Sequence, residues 1–165
     1  MNISAAVRRK IRSRIASALS VLALTAGALV VSAATPAQAT PYCDQGFEVV
    51  GAIEHTYVTY LGGPGGVLGC PISNELVNPD QFGRRSEFDR GTIYWSPRSG
   101  AFPVWGALGE WWAGQGYERG WAGYPTSFEY TVGNEIRQNF QCTVAHFQAR
   151  PGGSYVTWSD GNTCV

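Results

Sequence analysis

From residue 51 onward, two kinds of apolar pattern alternate along the chain. Ile53, Tyr57 and Leu61 recur at every fourth position, which places them on one face of a short helix. Leu108, Trp111 and Trp112 repeat that arrangement later in the chain. Glycines follow each run, Gly62-Gly63 in the first and Gly116 in the second, where a left-handed residue ends a helix at least cost. Beyond them, Gly69-Cys70-Pro71 and Gly123-Tyr124-Pro125 read as turns, because glycine supplies unusual dihedrals and proline prevents a helix restarting. Residues 84–88 and 92–96 are then read as extended stretches, the second rich in β-formers. Pro97-Arg98-Ser99-Gly100 is a turn, and residues 101–104 return as a strand.

The two patterns are one pattern written twice. Gly51-Ala52-Ile53 aligns with Gly106-Ala107-Leu108, and Val67-Leu68-Gly69-Cys70-Pro71 aligns with Trp121-Ala122-Gly123-Tyr124-Pro125. Ser73 and Glu75 fall on Ser127 and Glu129. Phe88 falls on Phe140, and from there a gap-free register sets Trp95 on Phe147, Arg98 on Arg150, Gly100 on Gly152 and Val104 on Val156. Phe47-Glu48-Val49-Val50 echoes Phe102-Pro103-Val104-Trp105, so residues 43–50 read as the tail of a preceding unit. The expected fold class is α+β, with units at about 51–105 and 106–158 inside one domain spanning 40–165. Each ~52-residue unit is a short helix, a Gly-x-Pro turn and a small antiparallel meander, and the two pack with pseudo-twofold symmetry so that each helps to bury the other's aromatics.

Residues 1–39 stand apart. Arg8, Arg9, Lys10, Arg12 and Arg14 precede an apolar stretch rich in Ala, Leu and Val, which ends at Ala37-Gln38-Ala39. That order is a secretory signal peptide with an A-x-A cleavage site, so the mature chain is expected to begin at Thr40; the alternative is a retained membrane anchor. Arg8-Arg9 hints at twin-arginine export, whereas Arg12 sits where an apolar residue belongs and fits general secretion better. Five of the twelve basic residues leave with this segment and none of the twelve acids does, so residues 40–165 carry 7 − 12 = −5 and no lysine. Such a surface is a poor match for nucleic acid or an anionic membrane, both of which require clustered Lys and Arg. No C-x-x-C or paired-His spacing implies a metal, and nothing implies a cofactor.

The signature residues resemble a known family. Leu68-Gly69-Cys70-Pro71 and Ala122-Gly123-Tyr124-Pro125 are two variants of the Leu-Gly-Phe-Pro signature of LGFP-repeat modules. The agreement extends through Ser73, Glu75, Phe88, Gly91, Ile93-Tyr94-Trp95, Pro97 and Gly100-Ala101. It fades past Phe140, where Thr143-Val144-Ala145-His146-Phe147 replaces Gly-x-Ile-Tyr-Trp. The resemblance implies an exported actinobacterial protein, associated with the cell wall and holding a cell-envelope polysaccharide such as an arabinogalactan-type polymer. A secreted protein partner is the alternative, with the chain acting as an adaptor.

Sugar recognition calls for flat aromatic faces beside planar polar groups. The candidate ligand-binding residues are Tyr94, Trp95, Trp121 and Tyr124, with Glu75 and Glu129 after the turns and Arg85 and Arg137 three residues before Phe88 and Phe140. Trp105, Trp111 and Trp112 are further platforms. Core packing is the competing role for every one of these rings. An ion pair within each unit, or a carboxylate accepting turn N–H groups, competes for the charged residues. No enzyme is expected: His55 and His146 lie in no nucleophile motif, the closest local carboxylate pair is Glu87 with Asp89, and a small repeat domain lacks a deep cleft. Four cysteines in an exported chain favour disulfides. Cys70 replaces the signature aromatic and Cys142 replaces the counterpart of Arg90, which points to Cys43–Cys70 and Cys142–Cys164; the rival pairing is Cys43–Cys164 with Cys70–Cys142.

Overall fold

The computed structural model describes residues 40–164, so the expected signal peptide, residues 1–39, lies outside the described residues. Those residues form an α+β fold of two short helices and three antiparallel sheets. A hairpin comes first, β1 (Thr40–Tyr42) against β2 (Phe47–Val49), with Tyr42 opposite Phe47. It feeds α1 (Gly51–His55), which widens into a π turn at Thr56–Tyr60. Ile53, Tyr57 and Leu61 are buried on one face, as their spacing predicts, and Gly62 ends the run in the left-handed region at φ 79°.

A four-stranded sheet follows: β3 (Leu76–Val77), β4 (Arg84–Phe88), β5 (Gly91–Ser96) and β6 (Gly100–Val104), paired in chain order. Then α2 (Gly106–Gly114) buries Leu108 and Trp112, leaves Trp111 half-buried, and is followed by Gly116 at φ 94°. The last sheet runs β7 (Tyr130–Val132), β8 (Glu135–Asn139), β9 (Val144–Ala149) and β10 (Tyr155–Ser159), again in chain order. The expected helices and meanders are present. The edge strands β3 and β7 were not anticipated, being too short to show an alternation.

The two Gly-x-Pro turns carry corresponding bonds. Tyr57 Oη donates to the Gly69 carbonyl at 2.6 Å, and Trp112 Nε1 donates to the Gly123 carbonyl at 3.0 Å. The next amide donates to a side chain in each case, Cys70 to Asp89 Oδ2 and Tyr124 to Gln141 Oε1. Pro71 bridges to Phe88, and Pro125 to Phe140. The Ser73 and Ser127 hydroxyls accept the amides of Glu87 and Asn139, each at 2.9 Å. Glycine is required twice over at the turn: φ is 74° at Gly69 and 70° at Gly123, and a Cβ would stand 2.6 Å from Asp89 Oδ2 or 2.5 Å from Gln141 Oε1.

Two buried clusters form, one behind each helix. Val49, Ile53, Tyr57, Leu68, Phe88 and Ile93 make the first, and Val104, Leu108, Trp112, Ala122, Phe140 and Ala145 make the second. Single residues interlock them. Phe128 packs on the first cluster, while Tyr94 of the first sheet meets Trp112 edge-on with centroids 4.6 Å apart. Tyr124 Oη donates to Asp80 and accepts from Asn78 Nδ2 at 3.1 Å, joining the second turn to the loop between β3 and β4.

The gap-free register fails at the last hairpin. Ile93 pairs with Pro103, ten residues on, whereas Ala145 pairs with Ser159, fourteen residues on, so the second hairpin is four residues longer. Val104 therefore corresponds to Asp160 and not to Val156. The Pro151–Gly153 turn accommodates the extra length with Gly152 and Gly153 both at positive φ, and the apparent match of Gly100 with Gly152 is coincidental. The disulfides are Cys43–Cys70 and Cys142–Cys164, with Cα separations of 6.0 and 5.1 Å.

Candidate ligand-binding groove

The residues singled out in the sequence divide among several places. Ion pairs do form, but with partners set by strand alternation. Arg84 lies 3.6 Å from Glu75, whereas the neighbouring Arg85 bonds Glu87 at 3.0 Å. Arg137 bonds Glu135 at 2.8 Å. Among the described residues Glu129 pairs with no arginine; it shares a small hollow with Trp105, Leu108, Ile136 and Phe147. Trp95 joins Glu75 and Arg84 in a separate hollow beside α1. Tyr124 is buried with its hydroxyl held by Asp80, and burial with that bond pushes its ionisation well above the ordinary tyrosine range. Trp121 is 39% exposed, meets Trp111 edge-on, and donates its N–H to Gln115 Oε1 at 2.9 Å.

Arg85 and Tyr94 are brought into another shared recess. A groove of about 390 Å³ runs between β5 and α2, walled by Tyr94, Trp105, Trp112 and Tyr117 and flanked by Arg90 and Glu110. A second hollow of about 230 Å³, lined by Arg85, Glu87, Glu118 and Pro79, shares Tyr94 and Tyr117 with it. Volumes of this order suit a small ligand or a segment of a polymer. The flanking charges are oriented by bonds of their own. Arg90 donates from Nε to the Val67 carbonyl and from Nη2 to Gly66, both at 2.7 Å. Arg85 also donates to Asn78 Oδ1 at 3.3 Å, and Glu110 accepts from Tyr155 Oη at 2.8 Å. Burial pushes the Tyr94 phenol up to about 12, so it stays neutral. One carboxylate oxygen of Glu118 is buried and finds no hydrogen bond among the described residues.

Tyr117 is the unusual member. Its φ is 56°, in the left-handed region, although it carries a bulky side chain. The residue in the corresponding place after α1 is Gly63, at φ 60°, following Gly62 as Tyr117 follows Gly116. A left-handed conformation costs a non-glycine residue roughly 1–2 kcal/mol, and such positions concentrate where a side chain has a task. The ring is 46% exposed and meets Trp112 edge-on with centroids 5.5 Å apart. Sequence reasoning missed Tyr117, Glu110 and Glu118. A signal was available for the first: a large aromatic stands directly after a helix-ending glycine, where the earlier unit has a second glycine.

Residues 68–120 match the family model of the LGFP repeat. The matched segment begins at the Leu68-Gly69-Cys70-Pro71 turn, and every wall and flank of the groove falls inside it, from Pro79 to Glu118. No curated protein matches the chain.

Three further polar groups of the matched segment and the residues after it, Asp89, Glu87 and His146, are held in structural bonds. Asp89 accepts the Cys70 amide at 2.9 Å, and Glu87 is paired with Arg85. His146 is buried, stacks on Trp158 at 5.0 Å, and sits between Glu135 and Asp160 at 3.1 and 3.2 Å.

Proposed function

We propose that the protein is a secreted, non-catalytic carbohydrate-binding module that holds a cell-envelope polysaccharide in the groove between β5 and α2. The observation that carries this reading is Tyr117, an aromatic kept in a backbone conformation that glycine adopts without strain, standing among Tyr94, Trp105 and the Arg and Glu side chains of the groove. Aromatic faces take the C–H surface of a sugar ring, while fixed guanidinium and carboxylate groups take its hydroxyls. Residues 106–158 are read as a second, diverged copy of the repeat related to the first by an approximate twofold, and the disulfides fit an extracellular location.

Affinity electrophoresis and a glycan array with the secreted protein test the reading. Binding to an arabinogalactan-type polymer is expected to be weak per site and nearly insensitive to salt, because the site works without a strong field. Tyr117→Ala should weaken it about tenfold with the fold retained. A polymer that binds the variant equally well, or releases at moderate salt, rules this site out. The adaptor reading has one observation of its own: Phe82 is 77% exposed at the tip between β3 and β4. Recovery of a protein from culture supernatant that Phe82→Ala fails to recover, with no glycan bound, would support it instead.

A further inference from the structure

A hollow appears twice in this chain, once of about 330 Å³ with a guanidinium in its lining and once of about 150 Å³ without one. The first, beside α1, is lined by Ala52, Ile53, Glu75, Arg84 and Trp95, and the Arg84 guanidinium lies 3.6 Å from the Glu75 carboxylate. The second, beside α2, has a volume of about 150 Å³ and substitutes Ala107, Leu108, Glu129 and Phe147 for the alanine, isoleucine, carboxylate and aromatic of the first. The strand registers fix the remaining position. Arg84 stands across from Trp95, and Ile136 stands across from Phe147. Where the first hollow supplies its own guanidinium, the second therefore presents a methyl-bearing wall, and Trp105 adds an indole to it. The space exceeds what one water molecule needs.

We propose that the hollow at Glu129 is a receptor for a guanidinium group from outside the chain, namely an arginine side chain of a protein partner. The hollow beside α1 shows the complex in intramolecular form: a guanidinium against a carboxylate with an aromatic ring alongside. Arginine is the right cation for such a place, since its planar, weakly hydrated head stacks on aromatic rings and bonds a carboxylate with directed N–H groups. An acidic chain, −5 over residues 40–165, draws such a partner in. Among the residues lining the hollow, Glu129 is the only titratable group. Its desolvation pushes the carboxyl up to about 7, with the Trp105 N–H opposing, which is the behaviour of a carboxylate lacking its cation. This site shares Trp105 with the groove but does not rest on the sugar-binding reading.

The test is an NMR titration of the oxidised protein with a blocked Gly-Arg-Gly peptide, read at the Ile136 methyls and the Trp105 indole N–H. The blocked Gly-Lys-Gly peptide and arginine methyl ester serve as comparison probes. Saturable shifts with the arginine peptide are expected, several-fold tighter than with the lysine peptide. They should weaken by up to about a hundredfold between pH 8 and pH 5, as Glu129 takes up its proton. Glu129→Gln should abolish the shifts at the Trp105 N–H. Ile136→Arg, which installs the missing side chain in place, should block the peptide. Tyr117→Ala should leave the titration unchanged, so failure of the groove and failure of this hollow are read separately. Equal binding by Glu129→Gln, or no preference for arginine over lysine, overturns the proposal. Binding of the methyl ester without the peptide overturns the protein partner. Should Ile136→Arg fail to fold, Glu129→Gln and the pH series decide alone.

Discussion

At the scale of single residues, two side chains sit where their own energetics oppose them. Tyr117 holds φ at 56°, so the usual order of substitutions should invert: Tyr117→Gly is expected to be more stable than Tyr117→Ala by about 1 kcal/mol, although alanine is ordinarily the better residue. Denaturant midpoints of the two variants check this, and an alanine variant as stable as the glycine variant would mean the position is not strained. Glu129 is the second case. Its carboxyl is raised by desolvation to about 7, above the ordinary 4.5. The folded state then holds a proton that the unfolded chain has lost, so stability is fully present below about 4.5 and falls as pH rises to about 7. Glu129→Gln should remove that slope, roughly 1–2 kcal/mol after allowing for partial solvation, in melts run across the same interval. Glu135 has the opposite sign. Its bonds from His146 and Arg137 hold the carboxyl below its ordinary range, and its contribution is lost as pH falls through the lowered value. The sequence showed that Glu129 recurs with Glu75, but not that their surroundings differ. That depends on Ile136 standing in the register position of Arg84, which only the strand pairing reveals.

At the scale of elements, what was legible is what repeats locally. Ile53, Tyr57 and Leu61 announce a helix because four-residue spacing leaves few alternatives, and residues 92–96 announce a strand by the β-formers Thr92, Ile93, Tyr94 and Trp95. Leu76–Val77 and Tyr130–Val132 give no such notice, since they become strands only because β4 and β8 offer them an edge. The longer hairpin of β9 and β10 was hidden by glycines that aligned for the wrong reason. The interlock of the two clusters was equally out of reach, because Tyr124 finds Asp80 across a long stretch of chain. That joint makes a prediction. A Cβ added at Gly83 would stand 2.1 Å from Tyr124 Oη and 2.7 Å from the Trp95 carbonyl, and the backbone oxygen cannot swing away. Gly83→Ala should cost on the order of 1–3 kcal/mol in a thermal melt. A neutral result would show that the second turn packs more loosely on the first sheet.

At the scale of the whole molecule, each disulfide closes a loop within its own end of the chain, over sequence separations of 27 and 22. Loops of that size are worth about 3 kcal/mol each in the chain-entropy model, a large share of the roughly 5–15 kcal/mol of an ordinary domain. Replacing Cys142 and Cys164 by serine should therefore lower the denaturation midpoint by several degrees, with the first bridge intact. The same wiring governs how the protein would behave as a tether. A pull applied at residues 43 and 164 passes from Cys43 directly to Cys70, and from Cys142 directly to Cys164, so neither looped segment can lengthen. Only the stretch from residue 70 to residue 142 can pay out, which gives a contour gain near 250 Å at about 3.5 Å per residue. Reductant should raise the gain to roughly 420 Å in a single-molecule stretching trace. The stretch left free to extend contains the groove, so tension would erase the binding surface before it parted the chain.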